Sequence, residues 1–249
     1  MKEKLYTIPV NDAFHANEEC PICRIYHSLE ANAIEFTMGP SYMEDDIRME
    51  TDRVGFCGHH LEQLYQNQNR LGLGLMLKTH MDRIISDIEG LQAGAANEQP
   101  VSGGGGLFRK KTPVKPGTTS ISAYIESLNH SCYICNRIND MYQRYLATVF
   151  YLYKNDEDFR KTLRTSKGFC TPHYGILRDM APGELSGKLL ESFLGDLDRL
   201  YLDNMKRVRD DLEWFTDKFD YRNADAPWKN SKDALPRSAC KVAGPVEIS

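Results

Sequence analysis

Apolar residues along this chain recur at three- and four-residue steps, and no stretch sustains two-residue alternation. That periodicity belongs to amphipathic helices rather than strands. Ile25, Tyr26, Leu29, Ala33, Ile34 and Phe36 share one helix face, which Gly39-Pro40 closes. Ser41 caps a short acidic helix through Asp45, Asp46 and Ile47. Another helix starts near Cys57 and carries Leu61, Leu64 and Tyr65. The next follows Gly74, with Leu77, Met81, Ile84, Ile85 and Ile88 on one face. Farther on, Met141, Tyr145, Val149 and Leu152 line one helix, and Asp156–Leu163 forms a short one. A helix opened by Cys170 ends near Ala181-Pro182-Gly183. A long apolar stripe then runs from Leu185 through Phe193, Leu200 and Val208 to Phe219. The β-prone run Thr148–Tyr153 sits among helical neighbours. The fold expected is all-α.

Two stretches lack this periodicity. Gly94–Thr119 holds Gly103–Gly106 and three prolines, the composition of a flexible linker. Arg109, Lys110, Lys111 and Lys115 make it locally basic. After Asp220 the chain reads as an irregular tail anchored by Tyr221 and Trp228. The organisation expected is a first helical unit over 1–93, a linker over 94–119, a second unit over 120–222 and a tail over 223–249.

The cysteines turn this division into a repeat. Cys20-Pro21-Ile22-Cys23 is followed by Gly55-Phe56-Cys57-Gly58-His59-His60, and Cys132-Tyr133-Ile134-Cys135 by Gly168-Phe169-Cys170-Thr171-Pro172-His173. Each half reads CxxC, a long gap, then GFCxxH. The two CxxC motifs are offset by 112 residues and the two GFCxxH motifs by 113, one insertion apart. The 113 offset continues downstream, mapping Leu64 to Leu177, Leu77 to Leu190 and Ile84 to Leu197, so apolar positions keep their helical phase. It also selects His60 over His59. The architecture expected is two tandem pseudo-symmetric helical units with a long C-terminal amphipathic helix.

Three thiolates and one imidazole make a complete tetrahedral set for zinc. Both ligand pairs of each half fall at helix starts, where the dipole and free N–H groups favour thiolate. The pairing expected from the repeat puts Cys20, Cys23, Cys57 and His60 on one ion, and Cys132, Cys135, Cys170 and His173 on a second. Each unit would then be clamped by its own Cys3His site, with no position left for water or substrate. An iron–sulfur cluster, or a redox dithiol at each CxxC, is the alternative chemistry. His15, His27 and His130 lie near the motifs as substitute ligands, against the simpler reading of ordinary surface or core histidines. Cys240 has no partner in the repeat and is read as non-functional.

Composition narrows the classes. With 249 residues, 41% of them hydrophobic, the chain can bury a core without covalent staples. A net charge of -4 does not suit a nucleic-acid binder. No apolar run is long enough to span a bilayer, and the start lacks a signal-peptide pattern. The cytoplasm, where thiols stay reduced, is the location expected. No GxSxG, HExxH, P-loop or Rossmann motif occurs, so no catalytic residue is assigned. The duplicated CPIC and GFCxxH motifs, with Phe219-Asp220-Tyr221-Arg222-Asn223 and Pro227-Trp228 near the end, resemble an uncharacterised bacterial domain family, found mainly in Firmicutes. The resemblance implies a cytoplasmic bacterial protein and no known reaction. The function expected is a two-zinc interaction or regulatory module with a protein partner; a thiol- or iron–sulfur-based redox protein or sensor is the alternative.

Overall fold

A computed structural model of the chain describes residues 2–97 and 119–245. Among these it holds eleven α-helices and no strand. They are α1 (Lys2–His15), α2 (Pro21–Met38), α3 (Asp45–Val54), α4 (Gly58–Gln66), α5 (Arg70–Asn97), α6 (Ser120–Asn129), α7 (Tyr133–Asn155), α8 (Glu157–Thr165), α9 (Thr171–Glu184), α10 (Gly187–Asp217) and α11 (Ala234–Ala243). The all-α reading therefore holds. The Gly/Pro-rich stretch lies outside the described residues from 98 to 118, and α5 runs up to its edge.

The chain divides into two compact units that cut across the tandem halves. A terminal unit combines Met1–Glu30 with Asn139–Ser249, and an internal unit spans Ala31–Ile138. α2 starts in the terminal unit and ends in the internal one; α7 does the reverse.

In the terminal unit, α1 packs on α8, and α9, α10 and α11 pack on one another. Its core is aromatic: Phe14 meets Phe159 at 4.9 Å between ring centroids, and Phe193 meets Tyr153 at 4.9 Å. Phe193, Leu197, Leu200 and Val208 are the fully buried part of the α10 stripe, whereas Phe219 at its end is exposed. Tyr153 reaches past this core to donate its hydroxyl to Asp196, which also pairs with Arg164.

Two sequence expectations change here. The tail is not wholly irregular, since Ala234–Ala243 is helical, with Ala234 and Lys241 buried. Pro236 sits in the first turn of α11, where no intrahelical donor is lost. Trp228 does pack, against Phe215, and its neighbour Pro227 accepts from the Trp214 indole. Tyr221 anchors nothing comparable, being 87% exposed.

In the internal unit, α3 and α6 pack on α5. The side chains of α5 that enter the core are Leu73 and Met76, one turn before the expected stripe; Met81 and Ile85 stay exposed.

The two GFC turns share one backbone device. Gly55 and Gly168 have φ of +61° and +73°, in the left-handed region that L side chains avoid. A Cβ on Gly168 would sit 2.8 Å from the Leu200 carbonyl oxygen of α10, and one on Gly55 would run into the His80 ring. Gly168→Ala should therefore destabilise by about 2 kcal/mol or more, from roughly 1–2 kcal/mol of backbone strain plus the clash. Gly195→Ala, at an exposed position of α10 with open space around it, should stabilise by about 0.5–1 kcal/mol. Urea unfolding midpoints of the two variants check both signs.

Candidate metal centres

All four ligand pairs are built the same way: the first residue stands immediately before a helix and the second lies one turn in. Cys57 is the N-cap of α4 with φ −73° and ψ 164°, and Cys170 the N-cap of α9 with φ −74° and ψ 164°. The duplicated motif thus takes nearly identical backbone in both copies. Cys20 and Cys132 directly precede α2 and α7, and their carbonyls accept from Arg24 and Asn136 to close the first turn. Every pair therefore faces the unpaired N–H groups of a helix start, which stabilise a thiolate.

These pairs come together crosswise. Cys20, Cys23, Cys170 and His173 form one cluster, and Cys57, His60, Cys132 and Cys135 the other. All eight sequence-selected residues are thus at a cluster, but the pairing expected within each half is wrong. Unequal helix lengths accompany this crossing. α2 has 18 residues and carries the chain about 27 Å from its CPIC, while the ten residues of α3 can recover only about 15 Å. α7 and α8, with 23 and nine residues, repeat the mismatch at about 35 against about 14 Å. In each half the shorter helix recovers only part of that distance, and each GFCxxH meets the CxxC of the other half.

The donor atoms are close enough for one ion. In the terminal cluster His173 Nδ1 lies 3.4 Å from the Cys20 and Cys23 sulfurs and 3.0 Å from Cys170, and Cys23 and Cys170 are 3.6 Å apart. In the internal cluster His60 Nδ1 lies 3.2 Å from Cys57 and 3.3 Å from Cys132 and Cys135, with Cys57 and Cys135 4.0 Å apart. A tetrahedral zinc with bonds near 2.3 Å to sulfur and 2.0–2.1 Å to nitrogen would set edges of about 3.8 Å between sulfurs and about 3.6 Å from sulfur to nitrogen. Both sets fit such an ion, with the imidazole presenting Nδ1 each time. His15, His27 and His130 belong to neither cluster; His15 bonds the Asn11 carbonyl, and the other two face Glu30 and Glu126.

Electrostatics marks the same position in both copies. Burial works against ionising Cys20, but hydrogen bonds from Cys170, Cys23 and His173 hold its thiol well below the ordinary range. Burial opposes ionisation of Cys132 too, yet His60 and backbone donors bring it to about 6. Three other thiols of the clusters resist. Its hydrogen bond to Cys20 pushes Cys170 up to about 12; Cys23 is pushed up by bonds to Cys170 and Cys20, and Cys135 by burial and its neighbouring thiols. A bound cation reverses that resistance, because a coordinating thiol is deprotonated outright.

The clusters differ in shelter. All four residues of the terminal set are buried, whereas Cys135 of the internal set is exposed and Cys57 half-buried. They are also tied differently. In the internal unit the Ser131 hydroxyl donates to the Val54 carbonyl at 2.7 Å, and the Tyr133 N–H to Gly55 at 2.9 Å. The repeat puts Glu19, Lys167 and Pro21 at the matching positions of the terminal unit, and Pro21 has no N–H to give. There Lys241 of α11, 1% exposed, donates to the carbonyls of Glu19 and Lys167, both at 2.6 Å. Glu19, itself buried, pairs with this ammonium at 3.3 Å and with Arg207 at 2.5 Å. Sequence reasoning missed Lys241 and Tyr142, whose ring centroid lies 6.0 Å from that of His173. Burial and the facing thiols push the Tyr142 phenol up. The only prior signal for Lys241 was the apolar spacing of Ala234, Leu235, Ala239 and Val242 around it.

A family model described as a family of unknown function (DUF6062) matches residues 1–248, and the chain belongs to that family. Neither a curated protein nor a solved structure matches it.

The crossed grouping has a direct consequence. Serine at both Cys57 and Cys132 should abolish one metal position per chain and leave the other, since both thiols serve the internal cluster. Serine at Cys57 and Cys170 should abolish both. Elemental analysis of the two double variants separates these outcomes; loss of both positions in the first would restore the tandem pairing.

Proposed function

We propose that this chain is a zinc protein with two structural Cys3His centres per molecule, and that it works as an interaction or regulatory module in a reducing compartment, the cytoplasm. One observation carries the reading: three thiols and an imidazole converge twice, with all donor atoms of a set within 4.8 Å of one another. The ligands are Cys20, Cys23, Cys170 and His173 for one ion, and Cys57, His60, Cys132 and Cys135 for the other. Four protein donors fill a tetrahedral ion and leave no position for substrate, which suits a structural role. An iron–sulfur cluster is usually held by four thiolates, and three with an imidazole, edge to edge at single-ion spacing, favour zinc. No described helix is long and apolar enough to cross a membrane. The interaction role draws support from Leu71, Met81 and Ile85, which leave apolar surface of α5 exposed.

Structural zinc sites bind with about 10–16 kcal/mol, as much as the whole net stability of a typical domain at about 5–15 kcal/mol. Protein purified reduced and without oxygen should carry two zinc ions per chain. A strong chelator should then unfold it rather than merely lower its midpoint. Iron, or no metal with all thiols free, would overturn the zinc reading.

The sign of the pH dependence follows from the thiols. Cys23, Cys170 and Cys135 are pushed up in the metal-free clusters and lose their protons to coordination. The metal-bound form therefore holds fewer protons, and raising the pH favours it. Zinc affinity measured against a competing chelator should rise between pH 6 and 8, by on the order of tenfold per pH unit for each proton released.

A further inference from the structure

The terminal unit also holds an open, polar cavity of about 470 Å³, within the range of small-molecule sites. It contains no metal ligand, but two of its walls are the loops that carry them. Glu19 directly precedes Cys20, and Lys167 stands three residues before Cys170. Arg207 and Asp211 come from α10, Arg237 from α11, and Lys229, Lys232 and Asp233 from the segment between these helices. Five cations thus face three carboxylates, a surplus of two positive charges on a chain whose net charge is -4.

The carboxylates are already taken. Arg207 holds Glu19 Oε2 at 2.5 Å and Lys241 the same oxygen at 3.3 Å; Arg237 binds Asp211 at 2.9 Å and Asp233 at 2.8 Å. The Lys229 ammonium lies over the Trp214 ring at 4.2 Å. The surplus charge therefore sits on Lys167 and Lys232, neither of which forms an ion pair among the described residues. Two buried atoms of the same residue set also lack a hydrogen-bond partner: Glu19 Oε1, an acceptor, and Arg237 Nε, a donor. Glu19 is only 8% exposed, and its Oε1 lies 4.0 Å from Arg237 Nη1, beyond hydrogen-bond reach. Buried polar atoms left unpaired are costly and rare.

We propose that this cavity binds a small phosphate-bearing ligand. Phosphate that retains a proton meets every open demand. Its bare oxygens accept from Lys167, Lys232 and the Arg237 Nε–H, and its hydroxyl donates to Glu19 Oε1. Sulfate and carboxylates only accept at neutral pH and would set an oxygen against the Glu19 oxygen. A zwitterion brings no net charge to match the surplus. The cavity is larger than one phosphate, so a small phosphate ester also fits, with a hydroxyl of its organic part as the donor.

Calorimetric titration of reduced, full-length protein at pH 7 in phosphate-free buffer tests the assignment, with inorganic phosphate, glycerol phosphate and sulfate in turn. One saturable site per chain is expected for phosphate or its ester, the tighter of the two identifying the source, with sulfate weaker by at least about tenfold. Lys232→Ala, at an exposed position, should weaken binding by about tenfold. Lys188→Ala, the same loss of charge on α10 outside the cavity, should leave binding unaltered. No saturable binding of phosphate or ester up to about 10 mM overturns the proposal. So does sulfate binding as tightly as phosphate, or an equal loss in the two lysine variants. The sulfate comparison on the unaltered chain decides the matter even if a variant fails to fold. Zinc measured on the same samples keeps the metal reading separate: two ions per chain without phosphate binding sinks this proposal alone.

Discussion

Three thiols and an imidazole brought within one ion's reach form a strained arrangement unless something positive sits among them. Ionised sulfurs about 4 Å apart repel, and protonated ones bury poorly paired hydrogens, as the raised thiols of Cys23 and Cys135 record. A divalent cation removes both penalties at once. The helix starts supply the rest, since each donor pair already faces unpaired N–H groups. The remaining architecture can be read as the means of delivering four helix starts to two points.

That delivery crosses the halves of the chain. Cys23 and Cys170 are 147 residues apart, Cys57 and Cys135 78. Clipping such long loops removes much chain freedom from the unfolded state, and the longer closure gains only about 0.6 kcal/mol over the shorter. The centres thus differ little in loop entropy. They differ more in surroundings, with a buried set beside α11 in one unit and a partly exposed set in the other.

The terminal unit meets the same requirement with different chemistry. The internal unit ties its two ligand loops through a serine hydroxyl and a backbone N–H. Proline at position 21 removes that N–H, and a lysine from the far end of the chain takes over. Burying an ammonium is costly by itself. Here two carbonyls and the Glu19 carboxylate receive it, so the charge is paired and its donors are used.

The sequence alone was enough to read the helical class and the eight residues that gather into two clusters, because these depend on periodicity and on spacing within one or two turns. A CxxC or CxxH pair is local: whatever the fold, its two side chains share a helix start. The choice of His60 over His59 was legible for the same reason, as register within a repeat is a property of the chain. Tertiary structure decided which pair meets which. Which pair meets which depends on how the helices between them pack, and no repeat offset encodes that. It also decided that Leu73 and Met76, rather than Met81 and Ile85, enter the core, since an apolar stripe does not say which of its turns finds a partner. The role of Lys241 lay farthest from sequence reasoning. Its partners are 222 and 74 residues away in the chain, and only packing of α11 on α9 and α10 brings them into contact.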